Sequence, residues 1–312
     1  MPILVSLICP VYKVAQYIPE LMQSLFEGMN TDKVEIIFVD DCCPENSITL
    51  VEQFIAEHQQ ALKFKPSIIK QPINQGQAAA RNKALAVAQG QYIGFIDSDD
   101  AIAPHYWKTL EPYVERVKND IIEFGFTEFT TVLPDVNDTV ISELPSSNLN
   151  PFHTGFFVWT RLYKKEIVKN LIFPEGMIYE DIFYNIHAFA KSKNSIRLSS
   201  CLVYYRKRAE STTSGRTSSY SNLLLNLVNS VNSTINCFER KDSVVSQVVR
   251  YSLLVSMKGF TIKERQDRRV FFRECKKINS NFTPLLNKFN HSLSVYFKFK
   301  CSKVICLMGG FS

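Results

Sequence analysis

The sequence predicts an α/β fold: a Rossmann-like, mostly parallel sheet flanked by helices, with a helical C-terminal extension. Three observations carry this. Short apolar runs alternate with segments of helical period through the first hundred residues. The links between those runs are long enough to hold a crossover helix, which favours parallel neighbours. From about residue 219 the pattern turns helical, and no further run ends in carboxylates.

The elements follow in order. Residues 3–9, ILVSLIC, read as a buried strand, ended by Pro10-Val11-Tyr12. Ala15–Gly28 has helical spacing, with Ile18, Leu21, Met22, Leu25 and Phe26 on one face. Residues 34–39, VEIIFV, form a second strand ending in Asp40-Asp41. Asn46 is placed to cap a helix carrying Ile48, Val51, Phe54 and Ile55. A third strand is expected at 64–69, a turn at Asn74-Gln75-Gly76, and an Ala-rich helix over Gln77–Ala88. The fourth strand, 92–96, runs into Asp97-Ser98-Asp99-Asp100. Beyond it, Tyr106–Val117 reads as helix, 120–126 as strand and 127–152 as a polar loop or hairpin. Lys164–Asn170 suits a short helix, Tyr179–Ala190 a helix opening on Glu180-Asp181, and Leu202–Arg206 a strand. The small polar stretch 212–218 marks a boundary, giving a catalytic domain over 1–215 and a helical, basic region over 216–312.

The chain has 312 residues, enough for one large α/β domain with an appendage. No apolar run is long enough to span a membrane, and Ile3–Cys9 is too short and too poorly flanked for a signal peptide. The eight cysteines form no CxxC pair, so reduced thiols are the simple reading. The histidines have no ligand spacing and receive no role. Net charge is +6, unevenly spread. From residue 201 onward there are 19 Lys+Arg against 6 Asp+Glu, whereas residues 1–200 hold 17 against 24. A basic last third suits an anionic partner or is a solvated helical face.

Three carboxylates within four positions after a buried strand repel one another. A cation would relieve them, and oxygen-only ligands suit Mg²⁺ or Mn²⁺. The plain alternative is an acidic turn with Asp100 as a helix N-cap. In a parallel sheet the ends of strands 3–9, 34–39 and 92–96 share one edge, where open α/β sheets bind ligands. That edge offers an acidic acceptor for a base or ribose, an aromatic wall and a metal site. Neither GxGxxG nor GxxxxGK[ST] is present, so phosphates would be held by metal and by basic side chains, with Arg81 and Lys83 as candidates.

Six segments appear in order over roughly residues 4–213: SLICPVYKVAQYI, FVDDCCPENS, NQGQAAARNKAL, YIGFIDSDD, WTRLYKKEIV…FPEGMIYED and YYRKRAEST. Together they resemble the family 2 glycosyltransferases, inverting enzymes of GT-A architecture that use sugar nucleotides. The resemblance implies that Asp97-Ser98-Asp99-Asp100 is the DxD element. Asp99 is then the leading metal ligand, and Asp97 holds ribose or metal. It implies that Asp41 hydrogen-bonds the base, although Cys42-Cys43-Pro44 stands where Gly-Ser-Thr is frequent. Pro10, Val11 and Tyr12 would line base and ribose. Arg81 would lie near the diphosphate or the DxD carboxylates, and Arg206 and Arg208, with Ser211 and Thr213, near the donor diphosphate. Asp181 would be the base that deprotonates the acceptor hydroxyl, with Glu180 in support. Trp159 either stacks on a sugar or packs in the core.

The implied reaction transfers a hexosyl or N-acetylhexosaminyl group from a UDP-sugar to a glycan or lipid-linked glycan in cell-surface polysaccharide assembly. The expected place is the cytoplasm, with contact at the inner membrane face if 293–308 lies on lipid rather than on the catalytic domain. Nucleic acid is not an expected partner. The alternatives are a metal-dependent nucleotidyltransferase and a non-catalytic, basic nucleic-acid-binding protein.

Overall fold

In a computed structural model of the protein, residues 2–134, 143–144, 149–177, 179–208, 218–238 and 244–250 are described, with isolated positions between 253 and 276. The chain divides into two compact units. One is Met1–Gly176 with Lys191–Ala209, the other Met177–Ala190 with Glu210–Ser312.

The first unit opens as predicted: β1 (Val5–Val11), α1 (Ile18–Gly28), β2 (Val34–Asp40), α2 (Ser47–Glu57), β3 (Lys65–Lys70), α3 (Gln77–Val87) and β4 (Tyr92–Phe95). It continues with β5 (Ala101–Ile102), α4 (Tyr106–Arg116), β6 (Ile121–Phe129), β7 (Glu143–Leu144), α5 (Pro151–Thr154), β8 (Arg161–Lys164), α6 (Lys165–Val168) and β9 (Ser195–Arg206). Among the described residues these strands form one sheet in the order β3-β2-β1-β4-β8-β6-β9-β5, with β7 added on β9. β1 pairs in parallel with β2 and β4, and β2 with β3. Beyond β4 the sheet is mixed rather than parallel throughout. β8 enters antiparallel between β4 and β6, β5 and β7 pair antiparallel with β9, and only β6–β9 is parallel.

All seven residues of β1 and of β2 are buried, as expected for strands covered on both faces. α1 lays Ile18, Leu21, Met22 and Leu25 onto the sheet, where they join Leu7, Val34, Ile36 and Phe38 in the main core. Gly90, just before β4, is held close to β1. Its N–H donates to Ser6 Oγ at 2.7 Å, and a Cβ there would sit 2.4 Å from the Ser6 nitrogen.

Some local expectations change. β1 runs through Pro10 to Val11 instead of stopping before it. β4 reaches only to Phe95, opposite Ile8, so Pro10 has a strand partner on one side alone and its missing N–H removes no ladder bond there. Asn46 occupies the N-cap position of α2 but its side chain makes no cap hydrogen bond. Ala101-Ile102 is a strand, so Asp100 is not a helix N-cap. β9 begins at Ser195, well before the expected Leu202.

The second unit contains α7 (Glu180–Lys191), apart from its last residue, and α8 (Ser218–Thr234). α7 buries Ile182, Tyr184, Asn185, Ile186, Ala188 and Phe189. α8 buries Leu224, Leu227, Val228 and Val231, a helical stripe. The boundary stretch up to residue 217, Ser211, Thr213 and the basic segment 293–308 lie outside the described residues.

Candidate active site

Strand order 3-2-1-4 places the topological switch between β1 and β4. The register sets Val11 beside Asp40 and Ile8 beside Phe95, so the chain leaves β1, β2 and β4 at one edge. Tyr12, Asp41 and the acidic turn are therefore gathered there, with Pro10 and Val11 buried beneath. Tyr12 is exposed.

Asp41 is 2% exposed. Its Oδ1 accepts from Gln71 Nε2 at 2.6 Å and from the Gln75 N–H at 2.8 Å, and its Oδ2 accepts from the Gly76 N–H at 2.8 Å. The carboxylate thus clamps the 71–76 loop that leads into α3. Gly76 enters that helix at φ 86°, where glycine carries no Cβ penalty. Asp40 accepts from the Cys43 N–H at 2.9 Å, which shapes the Cys42-Cys43-Pro44 turn, and Cys42 sits at φ 53°. Gln71 is buried, and its Oε1 has no hydrogen-bond partner. The sequence reading missed Gln71. Its signal is register: Asp40 pairs with Lys70, which sets Asp41 level with Gln71.

The acidic turn closes on itself, with the Asp100 N–H donating to the Asp97 carbonyl at 3.1 Å. Asp97 Oδ1 accepts from Arg81 Nη2 at 3.0 Å and from Gln77 Nε2 at 2.7 Å. Arg81 is 1% exposed and lies over the rings of Phe95 and Phe173. Gln77 was also missed, though it precedes Arg81 by four residues on one helix face. Asn82, the next residue of this helix, donates to the Phe173 carbonyl at 2.9 Å and accepts its N–H at 2.8 Å.

Asp99 is paired with Arg208, Nε to Oδ2 at 2.7 Å. Burial, and then the charge of Asp97, push the Asp99 carboxyl up to about 6. Asp100 is 1% exposed, and burial with its two acidic neighbours raises its pKa well above the usual carboxylate range. Its Oδ1 accepts from the Arg206 N–H at 2.8 Å, while Oδ2 is buried with no partner.

The Arg206 side chain turns away from the carboxylates. It donates to the Asp99 carbonyl at 2.8 Å and the Thr130 carbonyl at 3.2 Å, pairs with Glu20, and is flanked by the rings of Tyr17 and Phe129. It braces the turn. Of these two arginines, Arg208 is the one paired with an acidic side chain of the turn.

Ser98 is buried within the turn. Asp97 and Asp99 keep 24% and 15% of their side chains exposed. Among the described residues no group of three or more Asp, Glu, His or Cys side chains is arranged to hold a metal. This donor set fits a hard cation that takes one or two carboxylates and completes its shell with phosphate oxygens, the habit of Mg²⁺.

Glu180 and Asp181 open α7 in the second unit, both partly buried. The Asp181 carbonyl accepts from Asn185 Nδ2 at 2.9 Å. In the same helix His187 stacks on Phe183 and hydrogen-bonds the Phe183 carbonyl at 2.8 Å and Ser233 at 3.1 Å, a packing role. In the first unit Trp159 is 3% exposed and packs among Phe126, Phe157 and Tyr205, so core packing accounts for it.

A switch-point sheet that carries an acidic turn braced by arginines, extended by antiparallel strands, defines an α/β protein of the GT-A class. The model of the family described as Glycosyl transferase family 2 matches residues 6–170, a little over half of the chain, and the chain belongs to that family. It is 31% identical over 223 residues to the uncharacterized glycosyltransferase EpsJ of Bacillus subtilis, covering 67% of this chain and 63% of EpsJ. It is 25% identical to the poly(ribitol-phosphate) beta-N-acetylglucosaminyltransferase TarS of Staphylococcus aureus, over 66% of this chain and 36% of TarS. The chain thus spans under two thirds of the length of either relative. A crystal structure of S. aureus TarS matches with a TM-score of 0.73 at 17% identity, over 99% of this chain and 54% of that one. A shorter TarS structure, in complex with UDP-GlcNAc, matches with a TM-score of 0.69 at 20% identity, over 98% and 91%. The family favours the transferase reading over the nucleotidyltransferase and the non-catalytic alternatives. Among the described residues no helix is long and apolar enough to cross a membrane.

Proposed function

We propose that this chain is an inverting, UDP-sugar-dependent glycosyltransferase acting on a glycan or lipid-linked glycan acceptor in cell-surface polysaccharide assembly. The observation that carries this is the acidic turn at the switch point, held by Arg81 and Arg206 and flanked by the Tyr12 and Asp41 strand ends. Pro10, Val11 and Tyr12 line the uridine. Asp41 serves the base site through the 71–76 loop that its carboxylate fixes. Arg81 holds Asp97, and with Ser98 they form the floor under ribose and diphosphate. Asp99 and Asp97 would hold Mg²⁺ or Mn²⁺, which when bound supplies Lewis-acid neutralisation of the leaving diphosphate. Asp181 accepts the proton of the acceptor hydroxyl as that oxygen attacks the anomeric carbon, and Glu180 orients the acceptor. The new C–O bond forms on the face opposite the breaking bond to UDP, so an α-linked donor gives a β-linked product.

In this reading residues 1–215 are the donor-binding and catalytic domain. The basic region 216–312 provides acceptor or membrane-surface contact at the cytoplasmic face. The GT-A fold and the likeness to a poly(ribitol-phosphate) beta-N-acetylglucosaminyltransferase support the reading. The test is thermal melting in Mn²⁺ with a panel of UDP-sugars, followed by transfer assays. One UDP-sugar should raise the melting temperature. Asp181→Asn should keep that shift and lose transfer. No shift with any UDP-sugar would overturn the donor assignment, and an active Asp181→Asn enzyme the base assignment.

A further inference from the structure

The carboxylate that the donor-site reading gives to a metal already holds a cation from the chain itself. Arg208 Nε lies 2.7 Å from Asp99 Oδ2. The two arginines at this end of β9 differ in what fixes them. Arg206 is 8% exposed and engages two backbone carbonyls and Glu20, so it cannot leave without uncovering the turn. Arg208 lies past the end of the strand and is 30% exposed. Among the described residues its one acidic partner is Asp99, with the Tyr17 ring 5.7 Å from its guanidinium.

We infer that Arg208 is a resident counter-cation that occupies Asp99 until a nucleoside diphosphate arrives, so that divalent metal and diphosphate load together. This rests on the donor-site reading and assigns the coupling to one residue. A guanidinium held on Asp99 opposes a divalent ion at the same carboxylate by like-charge repulsion. A metal arriving alone either displaces Arg208 and leaves it unpaired, close to Arg206, or binds beside it against that repulsion. A metal arriving with a diphosphate brings the replacement partner, because phosphate oxygens accept the guanidinium fork in bidentate fashion. The first exchange loses a charge pair and the second conserves it. Among the described residues no three-ligand group of carboxylates is arranged to hold the metal without phosphate oxygens.

The experiment measures free Mn²⁺ by electron paramagnetic resonance during titration of the full chain at pH 7.5, with and without UDP. The wild type should bind Mn²⁺ weakly alone and much more tightly with UDP. Arg208→Gln should bind Mn²⁺ alone roughly tenfold more tightly than wild type, the scale of one partly screened charge pair, and should respond less to UDP. Arg208→Lys, which keeps the charge, should stay weak. Mn²⁺ binding by Arg208→Gln no tighter than wild type overturns the inference. A wild type in which UDP does not tighten Mn²⁺ overturns the donor-site reading beneath it. A second readout needs no variant: phenylglyoxal labelling of Arg208, followed by mass spectrometry. Labelling should speed up with saturating Mn²⁺ and slow again when UDP is added. Labelling indifferent to Mn²⁺ also overturns the inference.

Discussion

Replacing Asp41 by Asn separates two roles for this residue. All three of its neighbours are donors: Gln71 Nε2 and the Gln75 N–H on Oδ1, and the Gly76 N–H on Oδ2. A carboxylate satisfies them all. A carboxamide of the same shape offers one oxygen and one NH₂. With its oxygen at the Oδ1 position, it keeps two bonds but turns an N–H donor against the Gly76 N–H. One charge-assisted hydrogen bond is lost, at about 1.5–3 kcal/mol, and the other two weaken to neutral strength. Asp41 is 2% exposed, so water cannot fill the gap. The expected loss is about 2–4 kcal/mol. Urea unfolding followed by circular dichroism should show a lower midpoint with an unchanged slope. UDP affinity should fall as well, because the loop leading into α3 is released. A variant as stable as wild type to within about 0.5 kcal/mol, weakened only in UDP binding, would refute the clamp and favour a carboxylate free to meet the base.

Other perturbations have equally definite signs. The carboxyl of Asp99 is raised from 3.8 to about 6, so the folded state holds its proton across that window while the unfolded chain has lost it. Stability from this group is present below pH 3.8 and is lost as pH rises through about 6, on the order of 3 kcal/mol. Metal-free Asp99→Asn should therefore melt above wild type at pH 7.5 and close to it at pH 4, and a lower melting point at pH 7.5 would contradict this. Arg161 is fully buried, pairs with Glu123 at 2.7 Å, and donates to the Phe157 and Gly155 carbonyls at 2.6 and 2.7 Å. Arg161→Met leaves Glu123 with the more exposed Arg197 at 3.3 Å and should cost about 2–4 kcal/mol in chemical denaturation. Arg206→Met frees the Asp99 and Thr130 carbonyls and Glu20, and should cost about 2–4 kcal/mol, whereas Arg208→Gln, at a 30% exposed site, should cost under about 1 kcal/mol. Gly90→Ala drives a Cβ to 2.4 Å from the Ser6 nitrogen and 2.7 Å from the Val5 carbonyl carbon, both backbone, so melting should fall by the equivalent of about 1–3 kcal/mol.

The parallel half of the sheet was legible because β1, β2 and β4 are buried throughout and α1 has a regular stripe. Val5–Val11 and Val34–Asp40 are apolar runs of ordinary strand length, and Ile18, Leu21, Met22 and Leu25 mark one helix face. The antiparallel additions were less visible. β5 and β7 are two residues each and β8 is four, shorter than any periodicity can resolve. β8 is also placed between β4 and β6 by long-range pairing, which no local pattern encodes. At the site, the aspartates announced themselves because grouped charge at a strand end is rare in sequence. Gln71 and Gln77 did not, since neutral amides are common everywhere and only register and helix spacing bring them to Asp41 and Asp97.

Arg206 and Arg208 do different work although they stand two residues apart at the end of a strand. Two residues apart in a strand, they would face the same way and do the same work. β9 ends at Arg206, so the alternation stops between them. The backbone of Arg206 is committed to Asp100 through its N–H, which aims its side chain under the turn, toward the Asp99 carbonyl. Arg208 is released from the ladder and reaches the Asp99 carboxylate from outside. The turn therefore meets one arginine with its main chain and another with its side-chain charge. The first fixes the position of the turn, and the second neutralises Asp99. Only the second can be exchanged for another cation without dismantling the turn.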